Sequence, residues 1–109
     1  MSNKSRGTSY EYKAKYELQR EGFLVIRAGS SIGVFDLVGF SPVTGEAIFL
    51  QIKSSKSKYW HSIHKKTRLE FQNMSKLVKK DSLVRLEFWV RHARKWHKFR
   101  YYERAEELV

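Results

Sequence analysis

The chain has 109 residues, 41% hydrophobic and 15% aromatic, with 22 Lys and Arg against 11 Asp and Glu for a formal net charge of +11. This length suits one domain able to bury roughly 65% of the surface its unfolded form exposes; the apolar content excludes a disordered chain, and the lack of cysteine excludes disulfides and thiolate metal sites. Apolar runs too short for a bilayer and an N-terminus without the apolar stretch of a secretory signal imply an intracellular protein with no membrane partner.

Residues 1–8 have the composition of a flexible, polar lead-in. Thr8 followed by Glu11 matches a capping box, in which each side chain satisfies a free N–H of the first helical turn. The expected helix runs from near Ser9 to Gly22, a residue suited to the left-handed terminal position, with Tyr12, Tyr16 and Leu18 facing a core and Lys13, Lys15, Glu17 and Arg20 facing solvent. "FLVIRA" (23–28) reads as a buried strand and "GSSIG" (29–33) as a small loop. "VFDLVGF" (34–40) and "AIFLQIK" (47–53) are strands joined through "SPVTGE", short enough to make an antiparallel hairpin.

Residues 54–66 show no usable period and are expected as a basic loop. "TRLEFQNMSKLVKK" (67–80) predicts a helix with Leu69, Met74, Leu77 and Val78 on an apolar face. "LVRLEFWVRH" and "KWHKFRYYE" complete the chain as two strands around a tight turn near Ala93 to Lys95. The order α-β-β-β-α-β-β describes a single α/β domain over residues 1–109, with a mixed sheet flanked by helices. On the strand 83–92, Leu86, Phe88 and Val90 alternate with Glu87, Trp89 and Arg91, so large side chains occupy both faces; a second covered face suits a homodimer contact.

Charge is distributed unevenly: residues 53–100 hold 15 Lys or Arg against Glu70, Asp81 and Glu87. A field of this sign attracts polyanions, of which nucleic acid is the commonest inside a cell. In 53–68, Lys53, Lys56, Lys58, Lys65, Lys66 and Arg68 are interleaved with Tyr59 and Trp60, a pattern in which cations neutralise phosphates and a ring stacks on a base, or in which Trp60 anchors a core. Arg6, Arg27, Ser54 and Gln72 join this DNA-contacting set. His61, His64, His92 and His97 have no metal-ligand spacing, and a zinc site is not expected.

The chemistry concentrates in residues 35–55. Strand alternation projects Gln51 and Lys53 to one face and Ile48, Leu50 and Ile52 to the other. The hairpin brings Asp36 toward the first face, and the N-terminal helix can deliver Glu11. That set suits metal-assisted phosphodiester hydrolysis: Mg²⁺, with Mn²⁺ as a substitute, takes oxygen ligands from Asp36, the Gln51 side chain, the Ile52 main-chain carbonyl and Glu11. Lys53 is placed to orient the attacking water and offset charge on the phosphate.

Asp36, fourteen residues, then Gln51-Ile52-Lys53, with Glu11 upstream, resembles the signature of the PD-(D/E)XK nucleases. The short chain, "EGFLVIRAGSS" and the later helix with Gln72 look most like archaeal-type Holliday-junction resolvases. The resemblance implies a restriction-endonuclease-like fold and a Mg²⁺-dependent endonuclease, usually a homodimer, that cuts four-way or branched DNA in recombination and repair, and so a nucleoid-associated protein. It places Asp36 at the metal-binding Asp, Gln51 at the second acid, Lys53 at the Lys and Glu11 at the helical Glu, with Ser30 or Ser31 in a loop near the phosphate. Two positions depart from the signature: Phe35 stands where it has Pro, and Gln51 replaces an acid, which removes a negative charge and weakens metal binding. The alternatives are a nuclease-like fold that binds nucleic acid without cutting it, and a basic subunit of a ribonucleoprotein.

Overall fold

A computed structural model describes residues 3–28, 35–62, 65, 67, 69, 79, 82–101 and 105–108, with only the backbone of 3–8 and 105–108. The architecture is mixed α/β. Helix α1 (Asn3–Arg20) precedes strands β1 (Leu24–Arg27), β2 (Leu37–Phe40), β3 (Ala47–Ser54), β4 (Val84–His92), β5 (Lys95–Tyr101) and β6 (Ala105–Leu108). These form one sheet in chain order, β1-β2-β3-β4-β5-β6, antiparallel throughout except for the parallel β3 and β4. Among the described residues no helix is long and apolar enough to cross a membrane.

Helix α1 begins at Asn3, not near Ser9, so Thr8 lies inside it rather than capping it and residues 3–8 form its first turns. It ends as Gly22 predicts. Gly22 has φ +97°, its N–H donates to Gln19 O (3.0 Å), and the Phe23 N–H donates to Leu18 O (3.1 Å). This pair of bonds is a Schellman motif, and Phe23 with Leu18 supplies its hydrophobic contact. The inward stripe is Tyr10, Ala14 and Leu18; Tyr12 and Tyr16, expected in the core, are 56% and 65% exposed. At 3.6 residues per turn, a position two away from Ala14 points to the opposite side of the helix.

Strand β1, read as buried, is an edge strand with Leu24, Ile26 and Arg27 exposed. β2 is shorter than expected and starts at Leu37, leaving Asp36 in the bend just before it. The β2–β3 hairpin forms as predicted, with Leu37 opposite Leu50 and Gly39 opposite Ile48. Its turn is closed by the Ser41 N–H donating to Glu46 O and by Gly45 at φ +79°. Gly39 is required by close approach: a Cβ there would lie 2.9 Å from Ile48 Cγ2 and 3.3 Å from Phe23 Cδ1.

The parallel β3–β4 pair needs a crossover, and the expected helix 67–80 falls in that connection, mostly outside the described residues. Of its apolar face only Leu69 is described, and it is exposed while Thr67 is buried. His61, Ser62 and Lys65, expected in a loop, have helical backbone. β5 ends at Tyr101, and β6, which was not expected, adds a sixth strand beyond it. The β4–β5 turn holds Ala93 and Arg94 at φ 53° and 62°, the two left-handed residues that a tight hairpin needs to match strand twist.

The core lies on both sides of the sheet. Leu37, Ile48, Leu50, Ile52 and Trp89 pack with Ala14 and Leu18 of α1 on one side. Leu86, Phe88, Val90, Phe99 and Tyr101 pack with Ala28, Phe35 and Trp60 on the other. The two covered faces of β4 are therefore covered by the chain itself, so their burial does not call for a second copy.

Glu87 of β4 is wholly buried and fully engaged. Its Oε2 accepts from Arg85 Nε and NH2 (both 2.7 Å) and lies 3.4 Å from Arg100 NH2, while Oε1 accepts from Trp89 Nε1 at 2.9 Å. Removing one partner of a buried pair leaves an uncompensated charge, so Glu87→Ala is expected to cost about 3–5 kcal/mol in urea unfolding. Glu87→Gln, which keeps an acceptor for Trp89, should cost less; equal and small losses would show that the network is not stabilising.

Candidate metal and nucleic-acid site

The site forms where β1 and β2 part from the rest of the sheet. Asp36 bonds both neighbouring strands just before β2 begins: its N–H donates to Leu50 O (2.8 Å), and its own carbonyl accepts from Ala28 N–H (2.8 Å). The Asp36 side chain then continues the ladder. Its Oδ2 accepts from the Ile52 N–H at 2.7 Å, replacing the backbone carbonyl that a longer β2 would have presented. This charge-assisted bond fixes the carboxylate against β3. The paired β2–β3 register ends at Leu37 opposite Leu50, and because the Asp36 N–H also reaches the Leu50 carbonyl, Asp36 sits one residue out of that register, with its side chain against the Ile52 N–H.

The Asp36 carboxyl is raised above its ordinary 3.8. Burial is the main cause, the Ile52 N–H pulls the other way, Glu11 raises it further, and Lys53 and Arg27 lower it. Glu11, Lys53 and Arg27 thus all act on Asp36 electrostatically. Gln51 is buried at 6% exposure and its Oε1 has no hydrogen-bond partner among the described residues. Lys53, two residues on, is exposed at the strand end.

Glu11 is engaged otherwise than expected. Its Oε2 accepts from Arg27 Nε (3.1 Å) and NH2 (2.8 Å), a two-nitrogen clasp between α1 and the end of β1. Nothing in the sequence distinguished this pairing, because the two residues are sixteen apart and meet only when α1 lies over β1.

A divalent cation fits this donor set. An unpartnered buried amide oxygen and a carboxylate held against desolvation both gain from a hard cation, and the Ile52 carbonyl belongs to the same strand end. Among the described residues, however, no three His, Cys, Asp or Glu side chains converge on one point. The set is thus one carboxylate, one amide oxygen and main-chain oxygen, with Glu11 committed to Arg27.

Beyond β3 the chain enters a basic loop whose shape comes from its serines. Ser55 Oγ accepts from the Ser57 N–H (3.1 Å) and Ser57 Oγ from the Tyr59 N–H (3.0 Å), two successive local turns that turn Lys56 and Lys58 outward. The Ser55 N–H donates to Arg91 O, and His92 Nδ1 lies 3.0 Å from Ser55 O, so the loop is tied to β4. Ser54, Lys56, Lys58, Tyr59 and Lys65 are exposed as a DNA-contacting set requires. The Lys58 ammonium sits 5.2 Å over the Tyr59 ring. Of the other expected contacts, Ser30, Ser31, Lys66, Arg68 and Gln72 lie outside the described residues, as does the side chain of Arg6.

Trp60 is a core anchor and unavailable to a base. His61 and His97 stack on its indole at 3.7 and 4.1 Å, with His92 at 5.9 Å. His61, His92 and His97 thus share one aromatic cluster, with His61 still exposed; His64 lies outside the described residues.

No protein-family model matches the chain, and no curated protein is significantly similar to it.

Stability should report the Asp36 environment without any assay of activity. Because its folded value is raised, the folded protein holds this proton more tightly than the unfolded chain, and the contribution is lost as pH rises from about 3.8 through the folded value, then is constant. In EDTA, wild type minus Asp36→Asn, whose amide oxygen can still accept from Ile52, should become less favourable across that window. A difference that grows in favour of wild type with pH would contradict the burial of this carboxylate.

Proposed function

We propose that this chain is a metal-dependent DNA endonuclease of PD-(D/E)XK type, acting on branched DNA such as four-way junctions and working as a homodimer. The observation that carries the proposal is Asp36, its carboxylate fixed by the Ile52 N–H on the same strand end that holds the buried Gln51, whose side-chain oxygen has no hydrogen-bond partner among the described residues, and the exposed Lys53 two residues on. A helix followed by a three-stranded antiparallel meander within a mixed sheet agrees with the expected order up to β3. The exposed lysines of the loop that follows β3 support a polyanionic substrate.

Asp36, Gln51 Oε1 and the Ile52 carbonyl would hold Mg²⁺ or Mn²⁺. When bound, that cation supplies Lewis-acid stabilisation of the phosphate and a more acidic water. Asp36 is pre-oriented, because its Oδ2 is already anchored and the side chain does not have to be ordered on binding. Lys53, on an exposed strand end, reaches the phosphate, orients the attacking water and offsets the charge that grows on the non-bridging oxygens. Lys56, Lys58 and Tyr59 hold the flanking nucleotides.

The second reading, a nuclease-like module that binds without cutting, is favoured by one observation: the clasp of Glu11 by Arg27 leaves Asp36 as the one acid not in an ion pair at the site among the described residues. Labelled four-way junction, duplex and single strand incubated in Mg²⁺, Mn²⁺ or EDTA separate the two. Cleavage is expected with either metal and not with EDTA. Asp36→Asn and Lys53→Ala should each reduce it by about 10²–10⁴, and Gln51→Glu should lower the metal concentration required. Binding with no cleavage under any metal selects the second reading, and cleavage by Asp36→Asn at the wild-type rate would refute the metal mechanism.

A further inference from the structure

Helix α1 divides its side chains by sign. Both acids within its described turns point toward the sheet and are neutralised there: Glu11 by Arg27 at 2.8 Å, and Glu17 by Lys98 at 2.5 Å. Its bases lie around the rest of the circumference, with Lys13 and Arg20 exposed and Lys15 half-buried. Between them run Tyr12 and Tyr16, spaced one turn apart and turned away from the inward stripe of Ala14 and Leu18. The outward face of α1 is therefore aromatic and cationic at Tyr12, Tyr16, Lys13 and Arg20, bordered on one side by Glu17, which Lys98 neutralises, and by the exposed Glu21 just past the helix end.

Neither of these two large rings joins a core cluster among the described residues. Four residues of helix separate them by about 6 Å along the axis, and each keeps more than half of its surface exposed. The stripe is continuous with the candidate site, since the Arg27 guanidinium that clasps Glu11 also lies 6.0 Å from the centre of the Tyr12 ring. A partner lying along α1 from Arg20 toward Tyr12 would thus arrive beside Glu11 and Arg27.

We propose that the outward face of α1 is a track for an unpaired nucleic-acid strand, with Tyr12 and Tyr16 as stacking platforms for two bases and Lys13, Lys15 and Arg20 as phosphate contacts. Aromatic platforms combined with cations recognise single strands, because every base offers a π-face only when it is out of a duplex. Charge complementarity selects a polyanion over a protein surface, and the tyrosines select unpaired bases over the sugar-phosphate exterior of a duplex. This assignment rests on the nucleic-acid reading of the site, though not on hydrolysis there. It specifies the substrate further: a branch or end with a single-stranded arm.

Fluorescence anisotropy of the whole chain in EDTA, with an oligothymidine of ~15 nucleotides and a duplex of equal length, tests the assignment at fixed salt. Tyr12→Ala and Tyr16→Ala should each weaken single-strand binding by about 5- to 100-fold and leave duplex binding within about twofold, while Tyr12→Phe and Tyr16→Phe retain wild-type affinity. Both positions are exposed, so circular dichroism and melting temperature should not move; the phenylalanine variants guard against a misfolding explanation. Equal losses on single strand and duplex, no loss at all, or a wild-type chain that does not bind single strand would overturn the track. Single-strand binding lost in the alanine variants of a protein that cuts nothing would sustain the track and sink the nuclease. Duplex cleavage alongside single-strand binding indifferent to Tyr12 and Tyr16 would do the reverse.

Discussion

Strand β3 carries the central constraint. It lies between β2 and β4 with both faces covered, Leu50 wholly buried toward α1 and Gln51 buried toward the opposite core. A polar side chain in such a strand has no water to fall back on, so an unpaired amide oxygen carries a desolvation cost of about 1–3 kcal/mol. A neighbouring leucine would have filled the same space at no such cost. The Gln51 oxygen and the Asp36 carboxylate held by the next residue, Ile52, therefore stand out as groups whose burial stability alone does not explain.

Asp36 shows how the fold tolerates the expense. The carboxylate replaces a backbone acceptor for the Ile52 N–H, so one buried donor is satisfied by the same group that loses hydration. The exchange is incomplete, since burial still outweighs the hydrogen bond and the carboxyl remains raised. Contrast Glu87 on β4, buried more completely but with two arginines and an indole N–H around it. The first acid is left with an electrostatic deficit that an added cation would relieve, whereas the second is already compensated.

The sequence carried the local signals well. Gly22 as a helix stop, the 41–46 hairpin, the alternation of β3 and the tight turn at Ala93 and Arg94 all depend on interactions within a few residues, and each formed. Contacts between distant segments were not legible. Thr8 with Glu11 matched a cap, yet Glu11 is drawn to Arg27 sixteen residues away. Tyr12 and Tyr16 were assigned inward because aromatic residues usually are, but the phase of a helix is set by whichever stripe fits the sheet, here Ala14 and Leu18. Of the candidate site, the spacing of Gln51 and Lys53 along β3 could be read from strand period alone, whereas the placing of Asp36 against Ile52 required knowing where β2 begins.

The Glu11–Arg27 clasp decides how costly it would be to recruit Glu11 to the site. Arg27 is 50% exposed and Glu11 21% exposed, so solvent screens the pair and its net contribution is about 0–1 kcal/mol despite the short distance. A divalent cation or a phosphate close by interacts with one partner more strongly than the two partners interact through water. A phosphate drawing Arg27 away would free Glu11 for a metal-bound water, so substrate and metal would each favour the other's binding. The clasp thus keeps the Glu11 carboxylate neutralised, and its weakness is what makes that neutralisation reversible.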